Sequence, residues 1–377
     1  DFDDAPTVIS DVVSLPTSDG MGHAGMRAHK NMLIESQMLR LCEQLDPDGA
    51  EQEQCEICGN LELLLRHSGQ LKSALILHHQ VIAVLEMVDS KNPPVIYKAL
   101  RVVHEAMTER QLEQGRDSTG DYTGVIGLIG PLVDNMLTVG LAHRLLATCS
   151  LPLDDDDGML LPVVQQAALV LNSLFWAGEP RHVQMLVACQ AIPVLVGLLS
   201  AQAPLNHVAL DCIWKIMNMP SNMSSTPKTD LCHLLARSAA SEQLVVQLQR
   251  SFDESRQRSH TQAIEPTAGA NSRADAAAAG WVDLSEQHAE RASHILLVFA
   301  QADKLVKADM SRAKALKGML DVLATGIEDL SPILSIAFVK LLKAVRYLSG
   351  DTAALQPLHE AGAVGKLVQL LAMKQPP

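Results

Sequence analysis

Cys189-Gln190-Ala191-Ile192-Pro193-Val194-Leu195-Val196-Gly197-Leu198-Leu199 is an apolar stretch that the chain uses more than once. Near the C-terminal end it returns as Glu360-Ala361-Gly362-Ala363-Val364-Gly365-Lys366-Leu367-Val368-Gln369-Leu370-Leu371. Aligning Ala191 with Ala363 places the copies 172 residues apart, about four periods of about 40–47 residues, the length of a two- or three-helix repeat. Weaker copies lie at Val81–Val88, Ile129–Val133 and Ala315–Leu323. Both strong copies carry a Leu-Val-x-Leu-Leu core stripe, Leu195–Leu199 and Leu367–Leu371, after a small, apolar start. Pro193 sits in a first turn, where its missing N–H would have had no partner anyway.

Composition agrees with helices packed on helices. Of the 377 residues 47% are hydrophobic but only 3% aromatic. Such a core consists of Leu, Val, Ile, Ala and Met, which interdigitate between helices and suit a β-sandwich poorly. From Glu51 onward, helical stretches alternate with short breaks, and no alternating strand pattern interrupts them. A net charge of −13 argues against a nucleic-acid or anionic-membrane surface, either of which needs a basic stripe. No run reaches the about 18 apolar residues of a membrane span. Seven cysteines, Cys42, Cys55, Cys58, Cys149, Cys189, Cys212 and Cys232, are scattered through apolar stretches. That pattern suits reduced, buried thiols of a cytosolic or nuclear protein better than a disulfide frame. The start, Asp1-Phe2-Asp3-Asp4, lacks Met and has no signal-peptide run, so it reads as internal to a longer polypeptide.

Upstream of the quoted stretch, Gln165–Leu174 forms another apolar helix, joined to it through Gly178-Glu179-Pro180-Arg181-His182 and Val183–Val187. In this order, Val163–Leu199 resembles one repeat of the armadillo family. Gln165–Leu174 stands for the family's second helix and Ala191–Leu199 for its third. Ser331–Leu371 resembles another repeat, and residues 54–90 a further one. The resemblance implies an all-α, armadillo/HEAT-like right-handed superhelical solenoid with irregular repeats and inserted loops. The organisation expected is an extended leader over 1–28, a first helix from about Met26 to Leu45, and N-terminal repeats over 29–218. A Ser/Thr/Pro loop over 219–230, a helix over 231–249, a mobile loop over 250–280 and C-terminal repeats over 281–377 then complete one continuous solenoid. Insertions at 115–123 and 151–158, the latter carrying Asp154–Asp157, account for the irregular spacing of the copies.

Motifs for chemistry are sparse. Cys55-Glu56-Ile57-Cys58 is a C-x-x-C without a second Cys or His pair at zinc-site spacing, on a helix rather than before one, so helix packing explains it. His78 and His79 are adjacent, hence about 100° apart around a helix, and cannot easily share an ion. Neither a phosphate-binding glycine loop nor the kinase catalytic triplets are present. Gly124, Gly127 and Gly130 suit close helix approach better than phosphate. The sequence therefore predicts no catalytic, cofactor or metal residues, and no enzyme activity in this segment.

Leu64-Leu65-Arg66-His67-Ser68-Gly69-Gln70-Leu71-Lys72-Ser73, followed by Val81–Val88, resembles the non-catalytic helical region of fungal septation-initiation-network protein kinases, relatives of plant MAP-kinase-kinase-kinase epsilon. The resemblance covers most of 30–373. It implies an armadillo-like region behind a kinase domain, which docks on a GTP-loaded small GTPase at the spindle pole body, in the cytoplasm, upstream of cytokinesis. A general armadillo adaptor in transport or complex assembly is the alternative.

Members of the armadillo family that hold extended peptides use an asparagine ladder. The corresponding slots here are Ser173, Lys215 and Tyr347, which lack the paired amide donor and acceptor, so a folded partner or a helix is expected instead. In the armadillo pattern third helices line the ligand face, which brings forward Gln190, Lys215, Tyr347, Lys366 and Gln369 as protein-binding residues. Each of these is also compatible with ordinary solvated helix surface. Thr226-Pro227 and Arg256-Gln257-Arg258-Ser259 make Thr226 and Ser259 phosphorylation candidates.

Overall fold

A computed structural model of the chain describes residues 23–67, 70–108, 129–153, 158–177, 179–219, 226–264, 284–326 and 330–373. Every regular element among the described residues is helical. Two compact units meet in sequence between Cys189 and Gln190. The first contains α1 (His23–Glu43), α2 (Glu51–His67), α3 (Gln70–Leu77), α4 (Val81–Glu86) with a 3-10 turn at Met87–Asp89, α5 (Pro93–Met107), α6 (Ile129–Thr138), α7 (Leu141–Cys149), α8 (Leu160–Ala177) and α9 (Pro180–Ala188). The second contains α10 (Ala191–Leu199), α11 (Leu205–Met217), α12 (Lys228–Arg237), α13 (Ala240–Ile264), α14 (Leu284–Gln301), α15 (Lys304–Met310), α16 (Ala313–Ala324), α17 (Pro332–Ser349), α18 (Thr352–Glu360) and α19 (Ala363–Met373).

Along the chain the helices come in threes. First helices α3, α6, α9, α12, α15 and α18 have 7–10 residues, whereas third helices α5, α8, α11, α14 and α17 have 13–18. Five of the junctions from first to second helix are made by one left-handed residue: His79, Gly140, Gln190, Ala239 and Gly362, with φ between 55° and 97°. A left-handed residue ends one helix and turns the chain sharply into the next. Starts are fixed by side chains. Asp303 Oδ1 accepts from the Leu305 and Val306 amides at 3.1 and 3.2 Å, Ser331 Oγ from Leu334 at 3.2 Å and Asp351 from Ala353 at 3.0 Å. At α9 the Glu179 amide donates to His182 Nδ1 at 2.9 Å within a capping box.

Within each unit, like helices stack on like. In the first, α2 packs on α5 and α5 on α8, while α3 packs on α6 and α6 on α9. In the second, third helices stack α11–α14–α17, middle helices α10–α13–α16–α19, and first helices α12–α15–α18. Leu, Val, Ala and Met fill the interior between these ladders, with Phe175, Phe252, Phe299 and Phe338 fully buried. At Gly318 on α16 a β-carbon would collide with Val245 Cγ1 of α13, so only glycine lets those backbones approach so closely.

The helix order corrects the sequence reading. Ala191–Leu199 is α10, a middle helix, and Gln165–Leu174 belongs to α8, a third helix. A repeat read from a periodic sequence has the same period wherever it is cut; helix length and the left-handed corners set the true boundary. Val81–Val88 and Ala315–Leu323 are also on middle helices, but Ile129–Val133 opens a first helix, α6. The helix expected over 231–249 is two, broken at Ala239, and α13 continues to Ile264 through half of the loop expected over 250–280. The loop expected over 219–230 yields its last three residues to α12, and the leader its residues 23–28 to α1. Residues 1–22, the insertion at 115–123, Asp154–Asp157, Gly124, Gly127 and 265–280 lie outside the described residues.

Candidate protein-binding surface

On the third helices, much of the charge is spent between neighbouring repeats. In the first unit Glu62 of α2 accepts from Arg66 at 2.5 Å and from Arg101 of α5 at 2.7 Å. The Arg66 Nε also lies 3.7 Å from Glu105 of α5. Both carboxylates are buried, and the two guanidinium groups offset the cost of taking Glu62 out of water. In the second unit Asp211 of α11 accepts from Arg291 of α14 and from His288 Nε2 at 3.3 Å. The Arg291 guanidinium lies 5.3 Å from the Trp214 ring centre. Next along, Lys340 of α17 pairs with Glu290 of α14, and Ser331 Oγ donates to Glu286 at 2.6 Å.

Other ladders are tied the same way. Arg181 and His182 of α9 both reach Asp134 of α6 at 2.6 Å. His233 of α12 meets Asp303, the cap of α15, at 2.7 Å. Asn206 of α11 donates to Gln247 of α13 at 2.8 Å, and Gln247 donates in turn to the Leu199 carbonyl of α10 at 2.6 Å. Between neighbouring repeats these partners lie 39–50 residues apart, and 70–80 where the segment 265–283 intervenes. The charges thus hold the repeats in register.

Electrostatics follow from this packing. Burial pushes the Asp211 carboxyl upward, but the hydrogen bonds and charges of His288 and Arg291 outweigh it and hold Asp211 below the usual carboxylate range. His207 stacks on His288 with ring centres 4.3 Å apart. Burial, and then the neighbouring His288 charge, pushes His207 down, against the opposing pull of Asp211. His294 is lowered by burial and then by Lys340. Burial raises Cys42, Cys58 and Cys149 to about 12 and Cys232 to about 11. Thiols held so high carry little thiolate, and so little nucleophilic character, at neutral pH. Among the described residues no group of three or more His, Cys, Asp or Glu side chains converges on a metal position, and no single helix is long and apolar enough to cross a membrane.

The five residues brought forward from the sequence do not share one ladder. Lys215, half-buried on α11, and Tyr347, 46% exposed on α17, lie on third helices. Lys366 and Gln369 lie on the middle helix α19, where Lys366 Nζ binds Asp321 of α16 at 2.5 Å and Gln369 is exposed. Gln190 is the left-handed residue that leads into α10. Ser173, in an asparagine slot, donates to the Leu169 carbonyl of its own helix at 3.0 Å. Thr226 is half-buried two residues before α12, and Ser259 falls within α13 rather than in a loop. Sequence reasoning missed Trp214, Arg291 and His288, because their contacts with one another and with Asp211 span 77 or more residues of chain and leave no local motif.

No family model matches the chain. MAP3K epsilon protein kinase 1 of Arabidopsis thaliana is 24% identical over 203 residues, 52% of this chain and 13% of that protein. The Brassica napus protein of the same name is 24% identical over 203 residues, and MAP3K epsilon protein kinase 2 of Arabidopsis thaliana over 212. The matched span thus covers about an eighth of these relatives' length. Among solved structures, a designed armadillo repeat protein in complex with the peptide (KR)4 aligns with TM-score 0.50 at 16% identity, over 82% of this chain and 98% of that one. Computationally designed armadillo repeat proteins for modular peptide recognition align with TM-score 0.51 at 15% identity over the same shares. The fold is that of the armadillo repeat.

Proposed function

We propose that this chain is a protein-binding scaffold without catalytic activity of its own, the recruitment region of a longer protein kinase that acts in septation or cytokinesis. One observation carries the reading. The span related to MAP3K epsilon kinases covers half of this chain, yet the chain holds no glycine loop or catalytic triplet of a kinase. The related part is therefore a helical region outside the catalytic machinery. Stacked helices that present a continuous row of side chains support a binding role, as does the peptide bound by one armadillo design.

The partner proposed is a small GTPase in its GTP form, at the spindle pole body. It meets the third-helix ladder α11–α14–α17, with Lys215 and Tyr347 among the contacts and Gln190, Lys366 and Gln369 outside the ladder. Thr226 and Ser259 are sites at which phosphate adjusts that docking; at Thr226 it would stand beside the N-terminus of α12, where negative charge is favoured. Pull-down of purified chain with a spindle-pole small GTPase, loaded with a GTP analogue or with GDP, is the test. Capture in the GTP form alone is expected; equal or absent capture in both forms overturns the recruitment reading and leaves the general adaptor.

A further inference from the structure

At the C-terminal end of the second unit, α17, α18 and α19 enclose an open groove of about 410 Å³. Leu342, Val345, Leu355, Leu358, Val364 and Leu367 line it. Val364, Val368 and Leu371 continue the apolar surface along α19 at i, i+4 and i+7, and are 68%, 59% and 68% exposed. A contiguous exposed apolar stripe of this kind marks a docking surface.

The repeat geometry indicates what shape fits. Helix α14 seats against the preceding third helix, α11, and against its own middle helix, α13; α17 seats in the same way against α14 and α16. The groove between α17 and α19 is walled in the same way, by a third helix and a middle helix. An amphipathic helix of the length of α14, 18 residues, fits such a groove.

Charge indicates the chemistry. Arg346 and His359 line the groove, and exposed Lys343 lies one turn before Arg346 on α17. Among the described residues these three have no ion-pair partner, whereas Arg291, Lys340 and Lys366 of the same unit are each paired with a carboxylate. Glu360, the nearest carboxylate in sequence to the rim, is held by Gln356 at 2.9 Å. A basic rim around an apolar floor is the reverse of the chain's overall charge of −13.

We infer that this groove is a second docking surface, which takes an acidic amphipathic helix of a partner protein. The inference rests on the scaffold reading; the groove shares α17 with the third-helix ladder but is completed by α18 and α19 rather than by α11 and α14. Two fluorescein-labelled peptides of about 18 residues test it by anisotropy against the whole chain: leucines at i, i+3, i+4 and i+7, with either glutamates or lysines on the polar face. The glutamate peptide binds and the lysine peptide binds at least about tenfold more weakly. Lys343→Glu with Arg346→Glu reverses the preference, and Val364→Asp, at an exposed position, abolishes binding with an unchanged circular dichroism spectrum. Equal affinities, or binding that survives Val364→Asp, overturn the proposal. So does a dimer in sedimentation that Val364→Asp dissociates, because it makes a second copy the occupant. The same variants go through the GTPase pull-down. With the unaltered chain, absent binding of both peptides alongside GTP-dependent capture condemns this surface alone, while peptide binding without GTP-dependent capture condemns the recruitment reading alone.

Discussion

Phe338→Ala probes how the repeats share stability. Phe338 lies on α17, is fully buried, and belongs to the helix that packs against α14. A buried phenylalanine takes about 200 Å² out of water, worth about 5 kcal/mol at about 25 cal/mol per Å². Alanine keeps the β-carbon, and the neighbours close part of the void, so the expected loss is about 3–5 kcal/mol. In a stack of repeats, stability is a sum of repeat and nearest-neighbour terms, so the loss falls on the mutated repeat and those beside it. Native-state hydrogen exchange read by mass spectrometry locates it. Amides of α14, α16, α17 and α18 should exchange at least about a hundredfold faster. Amides of α2, α5 and α8, in the other compact unit, should keep wild-type protection. A uniform loss across both units would refute the reasoning, since it would mean one cooperative globule. A loss below about 1 kcal/mol would refute the packing argument itself.

Three further outcomes are expected. Gly318→Ala pushes a methyl group into Val245 and should cost about 1–3 kcal/mol by urea denaturation, with no change in helix content. Ala239→Gly relieves a left-handed alanine with φ 57° and should raise stability by about 0.5–1 kcal/mol after the extra freedom of glycine in the unfolded chain is subtracted. His207 and His294 are pushed below their ordinary value of 6.5, so the unfolded chain binds more protons than the folded one as the pH drops. Stability is therefore full above pH 6.5 and falls as pH descends through the lowered values. The thermal midpoint should drop between pH 7.5 and 5, less so in His207→Gln; a midpoint that rises on acidification contradicts the burial of these rings.

The fold was legible where residues repeat and illegible where they only meet. Ala191–Leu199 and Ala363–Leu371 gave up their kinship because both are middle helices with the same apolar pattern, although Val364, Val368 and Leu371 are exposed where Ile192, Val196 and Leu199 are buried. Their order within a repeat stayed hidden, since the corner residues His79, Gln190 and Ala239 are not glycines and announce no left-handed turn. Helix α13 was cut short because Arg250–Ile264 has almost no apolar stripe, although its Gln, Arg and Glu favour helix by propensity. At the candidate surface the sequence could offer single exposed residues such as Tyr347. It could not offer Asp211 with Arg291, whose pairing exists only once α11 and α14 stack. Lys366 looked free in sequence and is bound to Asp321.

The most direct test of the scaffold account is hydrogen exchange of the chain alone and in the presence of the GTP-loaded small GTPase. The account predicts slowed exchange concentrated on α11, α14 and α17, with the peptide that carries Tyr347 among the protected ones, and no change with the GDP form. An exchange pattern identical with and without the GTP-loaded partner, or protection confined to α12, α15 and α18, would contradict it.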